Sequence, residues 1–232
     1  MTLAIMQPYF LPYIGYWQLI AAVDTFVIYD NIKFTNKGWI NRNRMLRNGE
    51  GVTFSLPIAA GSDSLDVVER EIAATHDRRK LLAQFDGAYA RAPHYESVRP
   101  LLAEVIHCPE QNLYRHLRHS VDAVCRHLGI ETRIVTSSEV PIDHGLRAQD
   151  KVLALCRALQ ASTYVNPVGG TELYDVQTFA TEGIALKFLK ARALEYPQLG
   201  APFVPWLSIV DLLAFNPLAT VQDWVRTQFD FV

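Results

Sequence analysis

Arg42 and Arg44 alternate with Asn41 and Asn43 in the run GWINRNRML. On a strand, residues two apart share a face, so both guanidinium groups point one way and both amides the other. Paired guanidinium groups suit bidentate capture of a phosphate or carboxylate. With Lys33, Lys37 and Arg47 they make a local basic patch in a chain whose formal net charge is −2. That patch either grips an anion or is a set of solvated charges on a hairpin. A second anion candidate is NPVGGTELY, where Asn166, Gly169 and Gly170 precede a predicted helix. Two glycines there let backbone N–H groups approach a phosphate, or simply make a tight turn. No GxGxxG or GK[ST] pattern accompanies them.

Near the carboxyl end, PWLSIVDLLAFN sets Asp211 among Ile209, Val210, Leu212 and Leu213. An acid in such a segment needs a reason. Ser208 at the helix start and Asp211 three residues on could form a capping-box-like pair. Alternatively, Asp211 faces a polar sheet edge near Gln7 and Asp30, held ionised by hydrogen bonds or by a hairpin arginine. His116 and His119 are spaced like two ligands on one helix, but Arg115 and Arg118 beside them place the pair on a solvated face. No HExxH or comparable set occurs, so no metal is expected. Cys108, Cys125 and Cys156 show no CxxC spacing, which argues against a disulfide framework or a cysteine zinc site. No GxSxG elbow announces a serine triad.

The elements that must position these groups alternate strand and helix. LAIM (3–6), TFVIY (25–29), TRIVT (132–136), TYVN (163–166) and IALKFL read as strands, and 14–22, 147–160 and 171–182 as helices. GWINRNRML and GVTFSLPI flank Asn48-Gly49, a strong hairpin signal, which makes 38–58 an inserted hairpin. Residues 63–128 read as mainly helical, with Gly129 a helix stop. The expectation is one α/β domain over 1–232, a mainly parallel sheet with helices on both faces. In such sheets ligands bind beyond the carboxyl ends of the strands. The residues following the five strands are Gln7 and Tyr9, then Asp30 and Asn31, then Ser137 and Ser138, then Asn166, Gly169 and Gly170, then Tyr196 and Gln198. All would converge on one edge.

Half of the 232 residues are hydrophobic and about a fifth are charged, as suits a compact domain. The near-neutral balance gives no global field to recruit nucleic acid or an anionic surface. Apolar runs are too short for membrane insertion. No signal-peptide pattern precedes Gln7 and Pro8, so a cytoplasmic location is expected.

The opening stretch, MQPYFLPYIGYWQLI, crowds prolines and aromatic rings into the turn after the first strand. A proline turn leading into a helix at a glycine invites comparison with HIGH-motif nucleotidyltransferases. Their P-x-H-x-G-H histidines would correspond to Tyr13 and Tyr16 here, and tyrosine cannot supply a cation at neutral pH. A closer resemblance is to the WbqC-like protein family. It rests on MQPYFLPYIGYWQLI, DTFVIYDNIKF, GWINRNRM, IVTSSEV, VNPVGGTELYD and YPQLGAPFVPWLSIVDLLAFN, which span nearly the whole chain. The ending DLLAFNPLAT departs from the family's usual glycine after Phe-Asn. The resemblance implies a transferase in surface polysaccharide (O-antigen) or amino-sugar metabolism, moving an acyl or aminoacyl group from a thioester to a sugar amine. Coenzyme A or carrier-protein phosphopantetheine would be the donor, with no tightly bound cofactor, and a phosphorylated or nucleotide-linked molecule the partner. Asp30 or Asp211 would then serve as base, with Gln7, Tyr9 or Ser208 as oxyanion donors. Gln7, Tyr9 and Tyr13 would line the pocket, with Phe10 and Trp17 in the core. The alternative is a non-catalytic ligand-binding protein on a degenerate nucleotidyltransferase-like fold.

Overall fold

The computed structural model describes every residue except 200 and 201. In chain order the elements are β1 (Thr2–Met6), α1 (Ile14–Ala21), β2 (Thr25–Ile28), β3 (Arg42–Arg47), β4 (Glu50–Ser55), α2 (Arg78–Tyr89), α3 (Tyr95–His107) and α4 (Leu113–Leu128). They continue with β5 (Arg133–Thr136), α5 (Ala148–Ala158), β6 (Thr163–Pro167), α6 (Val176–Thr181), β7 (Ala185–Ala191), α7 (Ile209–Phe215), α8 (Leu218–Thr227) and β8 (Phe229–Phe231).

Six strands form one sheet in the order β5-β2-β1-β6-β7-β8. All neighbouring pairs are parallel except β7 with β8. The first three strands therefore run outward from β1 in one direction and the rest in the other, a Rossmann-like order. That reversal opens a crevice between the carboxyl ends of β1 and β6. Alternation along β1 and β2 feeds two cores. Ala4, Phe26 and Ile28 pack with α1, α4, α7 and α8 on one face, while Leu3, Ile5 and Val27 meet α5 and α6 on the other. The α/β architecture with helices on both faces is as the sequence pattern predicts.

The hairpin β3–β4 stands apart as a two-stranded antiparallel sheet, closed by Asn48 and Gly49 at φ 52° and 79°. Both angles belong to the tight turn that Asn-Gly favours. Asn43 and Met45 face the core, while Arg42 and Arg44 are half-buried on the opposite side.

Three expectations need correction. Residues 63–77 are not helical apart from a 3₁₀ turn at Val67–Glu69; they run extended, bridging Ile58 to Ile72 and Glu71 to Asn112. The helix begins only at Arg78, where the Asp77 carboxylate accepts from Lys80 N–H. The stretch 171–182 is a 3₁₀ turn at Val168–Leu173 and then α6, capped by Asp175. His116 is not solvated: it is fully buried, its ring 5.9 Å from Phe10, with neither nitrogen hydrogen-bonded among the described residues. Burial drives its pKa down to about 4, with the nearby Arg78, His119 and His76 acting the same way.

Candidate functional site

The turn after β1 is fixed residue by residue. Gln7 C=O accepts the Tyr16 hydroxyl at 3.0 Å, and Phe10 N–H donates to Ile40 C=O. Asn43 Nδ2 donates to Phe10 C=O, and Ser208 Oγ donates to Leu11 C=O at 2.7 Å. Pro12 C=O accepts both the Trp17 indole N–H and the Ile209 N–H. Leu11 is held at φ +45°, which a bulky residue tolerates only when its surroundings enforce it. Phe10 and Trp17 are fully buried beneath the turn. The prolines and rings therefore serve to make a rigid shelf whose polar backbone is nearly all satisfied from below.

Above that shelf lies a cavity of about 480 Å³ at the β1/β6 crevice, lined by Gln7, Tyr9, Tyr13, Tyr29, Asn166 and Gly170 among others. Two glycines shape it. A Cβ on Gly15 would fall 2.5 Å from Tyr13 Cε2, so the Tyr13 ring packs directly beside the first turn of α1. A Cβ on Gly170 would fall 2.1 Å from Asn166 Nδ2, so that amide lies across Gly170. Asn166 Oδ1 accepts the Tyr164 hydroxyl at 3.2 Å, and its Nδ2 donates to Pro167 C=O. The ring of Tyr9 rests on Tyr16 with centroids 5.6 Å apart.

Burial pushes the Tyr9 and Tyr13 phenols above the ordinary value of 10.0, and for Tyr9 the Tyr13 hydroxyl adds to the rise. Both stay hydrogen-bond donors across neutral and mildly alkaline pH. Ligand affinity is therefore expected to hold flat through pH 10; a decline beginning a unit or more below it would contradict this. The same shifts make folding lose stability as pH climbs above about 10, because the unfolded phenols ionise first.

Tyr13 also lines two further cavities. One of about 300 Å³ is lined by Tyr9, Pro12, Tyr13, Trp39, Arg44 and Trp206 together with Asn43. The other, of about 370 Å³, has Ile14, Leu194, Phe203 and Leu212 in its walls together with Arg192 and Glu195. Substituting Gly15→Ala is expected to swing the Tyr13 ring out of these cavity walls. Alanine improves helix propensity by about 1 kcal/mol, so thermal stability should change little. Ligand affinity should fall roughly tenfold, about the worth of one hydrogen bond. Unaltered affinity in calorimetric titration would remove Tyr13 from the site.

The polar residues of the sheet edge do not all reach the crevice. Asp30 is fully buried: its carboxylate accepts from Ser137 Oγ at 2.8 Å, Ser138 N–H at 2.9 Å and Ser138 Oγ at 2.6 Å. Asn31 donates to His144 Nδ1 at 2.9 Å, while Val140 C=O accepts from Nε2. That carbonyl makes Nε2 the protonated nitrogen and leaves Nδ1 to accept. Lys151, which sequence reasoning did not single out, is also buried, with Nζ 3.3 Å from Asn31 C=O and 4.9 Å from the Tyr29 ring centroid. Its pKa is lowered by burial, against the pull of Asp66 and Asp30.

Asp211 does not face that edge either. It is fully buried and accepts from Tyr89 Oη at 3.0 Å, Tyr196 Oη at 2.6 Å and Gln198 Nε2 at 2.7 Å, with no arginine among its partners. Tyr89 Oη in turn accepts from Leu46 N–H in the hairpin. Gln198 also accepts from Val204 N–H and donates to its C=O, clipping the loop beside the 370 Å³ cavity. Ser208 does cap α7, accepting from Val210 N–H, but its proton goes to Leu11 C=O rather than to a pocket, and it makes no side-chain pair with Asp211.

The two hairpin arginines have different fates. Arg42 donates to Gly38 C=O at 3.0 Å and Lys37 C=O at 2.9 Å, with its guanidinium 5.7 Å from the Trp39 ring centroid. Arg44 lines the 300 Å³ cavity and its guanidinium has no hydrogen-bond or ion-pair partner among the described residues. Trp39 and Trp206, at 43% and 53% exposure, were not foreseen as lining residues. The available signal was a bulky indole in each of two loops, beside Gly38 and after Pro205. Among the described residues no group of three His, Cys, Asp or Glu side chains is placed to hold a metal ion, and no helix is long and apolar enough to cross a membrane.

Comparison with known sequences bears on the whole chain. The uncharacterised protein Rv1507c of Mycobacterium tuberculosis is 31% identical over 228 residues, covering 96% of each chain. A sequence model described as the WbqC-like protein family matches residues 7–223, from the first residue of the shelf through α7 and most of α8. With its shelf, hairpin and α7 all inside the matched span, the chain belongs to the WbqC-like protein family.

Proposed function

We propose that this protein is a transferase of surface polysaccharide or amino-sugar metabolism, moving an acyl or aminoacyl group from a thioester to the amine of a phosphorylated or nucleotide-linked sugar. The observation that carries this reading is that three cavities share Tyr13 as a wall: the β1/β6 crevice with the amides of Gln7 and Asn166, a second with Arg44, and a third with Ile14, Leu194, Phe203 and Leu212 beside Arg192 and Glu195. A group-transfer enzyme must hold two substrates with their reacting atoms adjacent, and neighbouring compartments that share one wall can do this. The β1/β6 crevice suits a sugar, with Gln7 and Asn166 as amide partners and Tyr9 and Tyr13 as both ring surface and donors. The Ile14, Leu194, Phe203 and Leu212 side of the 370 Å³ cavity suits the acyl chain of a coenzyme A or phosphopantetheine thioester.

In the proposed step the amine nitrogen bonds to the thioester carbon, the carbon–sulfur bond breaks, and the amine's surplus proton ends on the departing thiolate. The Tyr9 and Tyr13 hydroxyls are the donors for the carbonyl oxygen as it gains charge. Asp30, Asp211 and Ser208 act in this reading as positioning residues, since each is fully buried with its polar atoms engaged inside the fold.

That same burial favours a second reading, a non-catalytic ligand-binding protein. One experiment separates the two: incubation with acyl-coenzyme A and a nucleotide-linked amino sugar, following free thiol and product mass. Thiol release that requires the sugar amine supports the transferase. Tight sugar binding with no thiol release across acyl and aminoacyl donors supports the binder.

A further inference from the structure

The 300 Å³ cavity combines two observations that belong together chemically: exposed, braced indole rings and, on Arg44 in its lining, a guanidinium that lies across Gly51 of β4 with no hydrogen-bond or ion-pair partner among the described residues. Large exposed aromatics are informative because burial is their usual fate. Trp39 is held in place by Arg42, which bonds the carbonyls of the two preceding residues and packs its guanidinium near the indole ring. Trp206 is held at φ +58°, a strained conformation for a bulky residue. Two residues on, Ser208 N–H donates to Arg44 C=O and Ser208 Oγ to Leu11 C=O, so the Trp206 turn is tied to the strand that bears Arg44. The Tyr13 ring meets Trp206 edge-on at 5.9 Å. Arg44 is the one charged residue among the described residues lining this cavity.

Nucleotide-binding sheets of this order place phosphate at the first turn of the helix after β1. Here Tyr13 occupies the space beside that turn, against Gly15. Of the two arginines lining the cavities that share Tyr13, Arg192 is paired with Asp230, which leaves Arg44 as the unpaired cation able to take a phosphate.

We propose that this cavity is a nucleoside diphosphate subsite, with the base stacked on Trp39 and Trp206, the phosphates on Arg44, and the attached sugar directed past Tyr13 into the β1/β6 crevice. The assignment rests on the transferase reading for the sugar's destination, but the base and phosphate contacts stand on the cavity alone. Stacking on an aromatic side chain is sequence-tolerant and typically worth roughly tenfold or more in affinity per ring. The subsite therefore selects for a nucleotide handle, and not for a bare sugar phosphate.

The test is equilibrium titration of the full chain with a nucleoside diphosphate, inorganic pyrophosphate and a sugar 1-phosphate, repeated in Trp39→Ala, Trp206→Ala and Arg44→Gln. The expected result is nucleoside diphosphate binding at least tenfold tighter than either base-free anion. Each tryptophan variant should erase most of that preference while leaving thermal unfolding close to wild type. Arg44→Gln should weaken the nucleoside diphosphate more than the uncharged nucleoside. Equal affinity for pyrophosphate and nucleoside diphosphate, indifferent to both tryptophans, overturns the subsite. So does acyl transfer to a free sugar phosphate with no nucleotide binding at millimolar concentration, an outcome that leaves the transferase standing. Nucleotide binding lost in the tryptophan variants, without any thiol release, supports the subsite and removes the transferase.

Discussion

Asp211→Ala is expected to destabilise the fold by about 3–5 kcal/mol, the range for removing one member of a buried, charge-assisted network. The carboxylate gathers three donors from separate parts of the chain: Tyr89 on α2, and Tyr196 and Gln198 in the loop before α7. Alanine leaves all three buried without their acceptor. Tyr89 would also lose its fixed orientation toward Leu46 N–H, loosening the hairpin that carries Arg44. Asp211→Asn keeps one acceptor but turns an –NH₂ toward the donors, so a smaller loss of about 1–3 kcal/mol is expected. The pH signature separates charge from shape. Burial raises the Asp211 pKa from 3.8, with the bonds from Tyr196, Gln198 and Tyr89 pulling the other way. An acid whose folded pKa is raised holds its proton longer when folded, so its contribution is greatest below the unfolded value and is lost as pH rises through the folded value. The stability advantage of wild type over Asp211→Asn should therefore shrink as pH is raised from below 4. Turnover per folded molecule should stay within a fewfold. A stable Asp211→Asn variant with turnover down a hundredfold would instead make Asp211 the base.

Asp30→Ala is expected to cost about 3 kcal/mol by the same mechanism, since Ser137 Oγ, Ser138 N–H and Ser138 Oγ all donate to that carboxylate. A second consequence reaches Lys151. Its pKa is lowered by burial and held up in part by Asp66 and Asp30. Without Asp30 the folded value should fall further. A base with a depressed folded pKa takes up protons on unfolding, so stability rises with pH toward the ordinary lysine value. Denaturant titrations of Asp30→Ala across pH 7–10 should show a steeper rise than wild type. A variant of wild-type stability with a wild-type slope would show that this buried cluster contributes nothing to the fold.

Much of the architecture was legible from periodicity. Strand and helix alternate with the right lengths, Asn48-Gly49 marks the hairpin, and Gly129 ends α4 at φ +65°. Residues 63–77 were misread because their order comes from isolated bridges to Ile58 and Asn112, contacts that leave no periodic trace. The short β8 and the preceding α8 were not foreseen; β8 pairs with β7 across only three residues. His116 was misjudged by residue type: it lies three residues after Leu113 and one before Leu117, so the helical period itself puts it inside. In the site, the glycines and the rigid turn were readable, and so was the convergence of Gln7, Tyr9, Tyr13, Asn166 and Gly170 on one crevice. What could not be read was which polar groups the fold would use up. Tyr89 and Asp211 are separated by 122 residues, and Arg42 and Arg44 differ only in what each happens to meet.

The central claim is that function resides in the cleft around Tyr13, with the buried acids supporting it from below. The most direct measurement is a crystal structure of the complex with a nucleotide-linked amino sugar. The sugar ring is expected against Tyr9 and Tyr13, within hydrogen-bond reach of Gln7 or Asn166, and the diphosphate on Arg44. A ligand bound elsewhere on the molecule, with the β1/β6 crevice empty, would contradict it.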